Sequence, residues 1–450
     1  MNHSLASGPL KRSLILFALP LFFSQLFQTL YNTADTVIIG YTLGSAALAS
    51  VGSVAALFEL IVGFCTGFGQ GLGIIAAQHY GAGNLHGYRR SLALSILISA
   101  AVSLGISVFF LFGMETVLHL LKTPDELFAG AYSYISVIAL GLIVTMFYNL
   151  AAAFLRAAGD STTPLVILLI SSVLNIALDF LLIVNFHMGV AGTAWATLIA
   201  QLVSLILCII WMIFKKKELI PALRDFAGGK LLTLNLIKMG FSMGLMSSIV
   251  SCGTLILQTG INTMGTQIIA GHTAARKLIG ILNLPVSSLM MALSSFVAQN
   301  TGAGQMERVE KGIAFANRLD LYYAIGLTIV IFFCSRLFIT LISGSSDPEV
   351  LDTGSLYLMT NIPFFPILAV LLNLRTSLQS MSMTLVPILS SVIELTGKIL
   401  FTYCIVPFTG YYGICAAEPA VWTAMAIFLA FFYLRAKIFK EKNIRPHLYI

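Results

Sequence analysis

The stretch AAQHYGAGN at residues 76–84 returns, little changed, as VAQNTGAGQ at residues 297–305. Both copies carry A-Q-x-x-G-A-G, 221 residues apart. The same shift lays GSAALASVG (44–52) on GTQIIAGHT (265–273), and GVAGTAWAT (189–197) on GYYGICAAE (410–418). Pro164 falls on Pro387 at a shift of 223, so a small gap lies between these landmarks. A displacement close to half of the 450 residues means one unit built twice.

Composition says what kind of unit. The chain is 58% hydrophobic and 10% charged, far from the roughly 25% charge of a soluble domain. Apolar runs of 18 or more residues recur throughout, each long enough to cross about 30 Å of hydrocarbon as a helix. They are too long and too uniform for an outer-membrane barrel, whose strands alternate over about 10 residues. The reading is an all-α polytopic membrane protein. Turn and charge signals set twelve spans near 14–40, 47–78, 91–112, 129–154, 164–185, 192–214, 233–260, 267–298, 312–333, 351–374, 387–406 and 413–434. The first span is too long for a signal-peptide core and lacks a small-residue cleavage site, so it is read as a permanent helix. Six cysteines lie in or beside spans without CxxC spacing, which argues against a metal site or a disulfide framework.

Lys and Arg orient the spans. With the N-terminus inside, the inner segments hold Lys11, Arg12, Arg89, Arg90, Arg156, Lys215, Lys216, Lys217, Arg224, Lys230, Arg308, Lys311, Arg375, Arg435, Lys437, Lys440, Lys442 and Arg445. The outer loops hold only Lys122 and Arg336. Both termini are therefore expected in the cytoplasm. The net charge of +7 is spread over inner loops rather than gathered on one face, so no nucleic-acid partner is expected. Six spans per half is even, so both halves begin inside. That is a parallel repeat about an axis along the membrane normal, the plan of transporters with a substrate site at the repeat interface. The halves are set at 1–225 and 226–450, joined by the hydrophilic stretch 215–232.

Two sets of six spans, a long inner link and Q-x-x-G-A closing the second and eighth spans resemble the MATE family, the multidrug and toxic compound extrusion transporters. LYNTADTVIIG (30–40), LRAAGDSTTP (155–164), NIALDFLLI (175–183) and AGTAWATLIAQ (191–201) resemble its prokaryotic DinF-like branch. The resemblance implies two bundles around a V-shaped central cavity and exchange of a cation for an organic substrate, usually cationic or amphipathic.

Charges inside spans are costly and normally face the bundle interior or a water cavity. Asp35 stands about five residues from the outer end of the first expected span, and Asp179 about six from that of the fifth. At about 1.5 Å per residue both lie about 8–9 Å deep. Asn175 is one turn from Asp179, Tyr31 is one turn from Asp35, and Thr197 enters the sixth span at similar depth. The set is oxygen-rich and hard, suited to H⁺ or Na⁺, and two adjacent carboxylates in low dielectric cannot both ionise cheaply. The resemblance implies the same five residues as a cation site. It also implies Asn149 as a cavity position and Pro20 as the place where the first helix bends. Gln28, Arg276 and Glu418 complete the expected substrate cavity.

The second half does not copy this set: Asp35 falls on Ile256 and Thr197 on Glu418. Glu394 and Lys398 are spaced i, i+4 in the order that favours an ion pair. Glu394 and Glu418 are expected to pair with Lys398, Arg276 or Lys277. The alternative is a second substrate or ion site in this half. The pair of carboxylates that the NorM-like branch implies here is missing, which shifts coupling to the first half. Glu59 and Asp320 have no evident partner.

No H-E-x-x-H, G-x-S-x-G or phosphate-loop pattern occurs, and GFGQGLG (67–73) sits inside a span, where its glycines read as close helix packing. The expectation is a monomeric antiporter of a bacterial inner or plasma membrane, not an enzyme and without a cofactor. It takes up H⁺ or Na⁺, the latter at Asp35 and Asp179, to export organic cations or amphiphiles across the bilayer. The rival reading is a lipid-linked oligosaccharide flippase, which needs several arginines facing its cavity.

Overall fold

The computed structural model describes residues 5–441, apart from Lys122 and Gly228. Lys122, Lys442 and Arg445 of the charge tally lie outside the described residues, as do the side chains of Lys437 and Lys440. Among the described residues there is no strand. Ten helices are long and apolar enough to cross a membrane, and the count reaches twelve if each of two bent pairs is one span.

The helices are α1 (Leu10–Leu43), α2 (Ser45–Gly81), α3 (Leu85–Leu120), α4 (Asp125–Leu140), α5 (Leu142–Ala157), α6 (Thr162–Phe180) and α7 (Val190–Lys215) in the first half. The second half has α8 (Lys230–Ile261), α9 (Thr266–Leu282), α10 (Leu284–Gly302), α11 (Met306–Ser343), α12 (Pro348–Asn361), α13 (Phe365–Ser380), α14 (Leu385–Leu400), α15 (Val406–Thr409) and α16 (Tyr411–Glu441). Several run well past the apolar stretches. α3 continues to Leu120 and α11 to Ser343, so the expected outer loops shrink to a few residues. Once nucleated, a helix continues through a charged residue that ends an apolar run, such as Glu115 of α3 or Arg336 of α11.

The bent pairs are α4 with α5, 50° at Gly141, and α9 with α10, 41° at Asn283. Pro285 lies one residue into α10, where its missing N–H needs no partner. Each half also ends an equivalent helix in a five-residue π-turn, Leu181–Asn185 after α6 and Phe401–Ile405 after α14. The repeat is visible in the backbone as well. Gly44 and Gly265 (φ 83° and 99°), Gly83 and Gly304 (71° and 72°), and Gly189 and Gly410 (59° and 59°) are repeat partners in the left-handed region. Gly159 (82°) has Ser382 (68°) as its partner. A side chain stands there in a conformation that favours glycine.

The chain divides into two compact units. One gathers the residues up to Gly8, Leu16–Ser247 and Ala298–Gly304; the other gathers Pro9–Ile15, Ser248–Val297 and the chain from Gln305. The division does not follow the charged linker, because the first half of α8 packs on α2. A β-carbon at Gly71 would come within 2.5 Å of the Met239 carbonyl oxygen, and one at Gly67 within 2.6 Å of that of Met243. The GFGQGLG glycines thus admit a backbone. The core of the first unit holds Phe68, Leu72, Tyr88, Phe154 and Met239. On α3, Ser91, Ser95, Ser99, Ser103 and Ser107 form a buried row at every fourth residue, where small side chains allow close packing. In the second unit α9 packs on α12, and α16 on α13 and α14.

Candidate functional site

In the first unit α1 carries Asp35 and α6 carries Asp179, and their carboxyl groups lie close enough to interact. α1 runs on to Leu43, so Asp35 lies eight residues, about 12 Å, from the end of its helix. Asp179 is fully buried and Asp35 half-buried. Oδ1 of Asp35 and both oxygens of Asp179 have no hydrogen-bond donor among the described residues. Carboxylate oxygens only accept, so two of them in contact need a proton or a metal cation between them.

Asn175, one turn from Asp179, is 2% exposed, and neither its Oδ1 nor its Nδ2 has a partner among the described residues. Tyr31 lies in the fields of Asp35 and of Gln28, which is one turn away. Tyr134 of α4 was not read from the sequence, yet it lies within electrostatic range of Asp35, Asp179 and Tyr31. Its signal was the polar pair Tyr134 and Ser136 inside an apolar span; Ser136 Oγ is buried without a partner among the described residues. Thr197 is half-buried on α7. One turn earlier Thr193 is the buried hydroxyl, and its Oγ1 is unpartnered among them. Asn149 donates to the Thr145 carbonyl at 2.9 Å, and the Thr145 hydroxyl donates to Gln201 Oε1 at 2.6 Å, a pairing separate from the carboxyl groups. α1 runs through Pro20 as one helix, and Ser24 donates to the Pro20 carbonyl at 2.8 Å.

The second unit holds a different arrangement at related positions. By the 223-residue shift Ser171, Asn175 and Asp179 fall on Glu394, Lys398 and Thr402. One helix face thus carries an acid with an amide in one half and an ion pair in the other. Lys398 Nζ donates to Glu394 Oε1 at 2.9 Å and lies 3.5 Å from Thr254 Oγ1. Arg375 corrects the expectation of an inner loop residue: it sits within α13, 8% exposed, with Nη1 3.6 Å from Glu394 Oε2. A guanidinium tolerates that site because a carboxylate on α14 faces it. Arg276 Nη1 donates to Glu418 Oε1 at 2.6 Å, and the Tyr357 hydroxyl donates to Glu418 Oε2 at 2.7 Å. His272 Nδ1 is 3.0 Å from the Tyr411 hydroxyl, while Lys277 is exposed. Asp320, which lacked a partner in the sequence, accepts from Asn373 Nδ2 at 2.8 Å. Glu59 is exposed on α2. Among the described residues no three His, Cys, Asp or Glu side chains converge on a metal site.

The chain matches known proteins in sequence and in fold. The MatE family profile matches residues 20–181 and again 242–404, once per repeat. A probable multidrug resistance protein of Bacillus subtilis, YpnP, is 25% identical over 370 residues, 82% of each chain. An FAD transporter of Shewanella oneidensis is 25% identical over 452 residues, 97% of each chain. The outward-facing structure of a multidrug resistance MATE transporter of the MOP superfamily superposes with TM-score 0.89 at 22% identity, covering 97% of this chain and 98% of its own. The fold, the doubled match and the length of these alignments agree: this multi-pass membrane protein belongs to the MatE family, whose members are transporters and not enzymes.

Proposed function

We propose that this chain is a secondary antiporter that exports organic cations or amphiphiles by alternating access, driven by H⁺ or Na⁺ bound at Asp35 and Asp179. The observation that carries the reading is the pairing of two carboxyl groups, Asp35 half-buried on α1 and Asp179 fully buried on α6, near Tyr31, Tyr134 and Asn175. With one proton between them the pair is an anion that attracts a cationic solute. A second proton, or Na⁺, neutralises it and releases the solute. The ion and the solute compete for one charge, and a ligand moves a two-state equilibrium only by binding one state more tightly. Multidrug relatives support the solute class. The Lys/Arg asymmetry supports cytoplasmic termini in a bacterial plasma membrane.

Dye efflux from everted vesicles, with the pH gradient and the Na⁺ gradient imposed separately, tests the reading. Efflux responding to at least one gradient, and lost in Asp35→Asn, is the expected result. Efflux indifferent to both gradients defeats it.

One arrangement favours a second reading. Arg375 and Lys398 both face Glu394, and Arg276 pairs with Glu418, so three cations meet two carboxylates, an excess of positive charge that suits an anionic solute. The Shewanella relative's name as an FAD transporter points the same way. Flavin dinucleotide accumulation by vesicles, set beside dye accumulation, separates the two. The flippase reading loses ground because the charge of Arg276 is matched by Glu418 at 2.6 Å.

A further inference from the structure

The repeated motif that reveals the duplication also packs against its own copy. Gln78 and Gly81 of α2 are the repeat partners of Gln299 and Gly302 of α10, and all four belong to the first compact unit. A β-carbon at Gly81 would fall on the Gln299 carbonyl oxygen, and within 2.5 Å of that residue's carbonyl carbon and Cα. One at Gly302 would fall on the Gln78 carbonyl oxygen, 2.6 Å from its carbonyl carbon. The contact is reciprocal: each copy supplies a glycine and receives a carbonyl. Those carbonyls already accept helical hydrogen bonds, from Ala82 at 3.0 Å and Ala303 at 2.9 Å. Each carbonyl oxygen thus meets the other copy's glycine where a β-carbon would stand. One residue past each following alanine, Gly83 and Gly304 turn the chain with φ 71° and 72°. Helix ends so placed leave no room for a side chain.

A polar latch lies over this contact. Gln299 is fully buried, accepting from the Leu5 backbone N–H at 2.8 Å and donating to the Ala157 carbonyl at the end of α5 at 2.9 Å. Asn300, also fully buried, donates to the Leu5 carbonyl at 3.2 Å. Leu5 itself is 3% exposed. The N-terminal segment is thus tied by both its backbone groups to the second copy of the motif, and α5 to the same glutamine.

We propose that the two A-Q-x-x-G-A-G copies form a self-complementary gate, with Leu5 and Gln299 as its latch, that must part in every transport cycle. The role in the cycle rests on the alternating-access reading above. A backbone-on-backbone contact suits a gate because it is all or nothing. Carbonyl and glycine either fit at full contact or separate, and no side chain can follow a partial opening.

The test is a distance measurement, made without substrate or gradient in a variant lacking the native cysteines. Spin labels go on Leu85→Cys and Gln305→Cys, and the distance is read by pulsed electron resonance. The parent should give one dominant short distance. Gly81→Ala and Gly302→Ala should each move at least about half of the population to a longer one. Gly105→Ala, whose β-carbon meets nothing within 4 Å, should leave it unchanged. If the glycine variants fail to fold, Gln299→Ala decides, since it adds no atom and removes both latch bonds. It too should lengthen the distance. The parent distance persisting in folded Gly81→Ala or Gly302→Ala, or in Gln299→Ala, overturns the gate. Dye efflux keeps the two ideas apart. Lengthened distances in a chain without gradient-driven efflux sink the antiport reading and leave the gate standing, and unmoved distances in a chain that pumps do the reverse.

Discussion

Asp35 and Asn differ by one proton-binding oxygen, which makes Asp35→Asn a narrow test of the carboxyl pair. The amide keeps volume and can donate to Asp179, so fold and expression should survive while gradient-driven efflux disappears. Normal efflux with full gradient dependence in this variant would move the coupling site elsewhere. In the second unit, the i, i+4 spacing alone predicts that Lys398→Ala strands Glu394. The structure changes this, because Arg375 also faces Glu394. Glu394→Ala should therefore be the more damaging change, because it takes from both buried cations the carboxylate they share, at a cost of about 3–5 kcal/mol. Lys398→Ala leaves Glu394 with Arg375 and should cost less. Thermal unfolding in detergent, followed by fluorescence size exclusion, ranks the two variants, and equal midpoints would contradict the three-residue cluster.

At the scale of helices, the repeat allows one half to instruct the other. Gly159 and Ser382 occupy the same left-handed position after equivalent helices. A residue with a β-carbon costs roughly 1–2 kcal/mol there, offset in part by the greater freedom glycine has when unfolded. Ser382→Gly should raise stability by about 0.5–1 kcal/mol, seen as a higher thermal midpoint, whereas Gly159→Ser should lower it. No change in either variant would mean that local contacts of the loop, not backbone conformation, set its energy. Gly71 offers a harsher case. Gly71→Leu forces a side chain onto the Met239 backbone of α8, where overpacking costs about 1–3 kcal/mol or more. Gly105→Leu, facing open space, should be close to neutral in the same assay.

At the scale of the molecule, orientation follows from charge and is open to labelling. In a cysteine-free background, Tyr41→Cys and Ser346→Cys should react with an impermeant thiol reagent added outside cells. Leu223→Cys, 91% exposed in the segment between the halves, should react only after permeabilisation. External labelling at Leu223 would reverse the proposed topology.

The duplication, the number of spans and the candidate carboxylates were legible in the linear chain for a physical reason. Hydrocarbon leaves a backbone few solutions, so apolar length reports helices directly, and an ionisable residue inside such a run stands out by its cost. Asp35 and Asp179 stand out that way as candidates, with Asn175 and Tyr31 one helical turn from them. Tyr134 was not, since a tyrosine in a span is ordinary until folding sets it beside two acids. Arg375 was placed in a loop because charge ends a hydropathy run, whether or not a carboxylate on another helix faces it. Helix ends read short for the same reason: a charged residue ends an apolar run but not the helix, and α3 and α11 continue past Glu115 and Arg336. The A-Q-x-x-G-A-G pattern itself was visible as a repeat. That each copy is shaped to receive the other depends on two backbones 221 residues apart meeting at glycine, which only the tertiary structure decides.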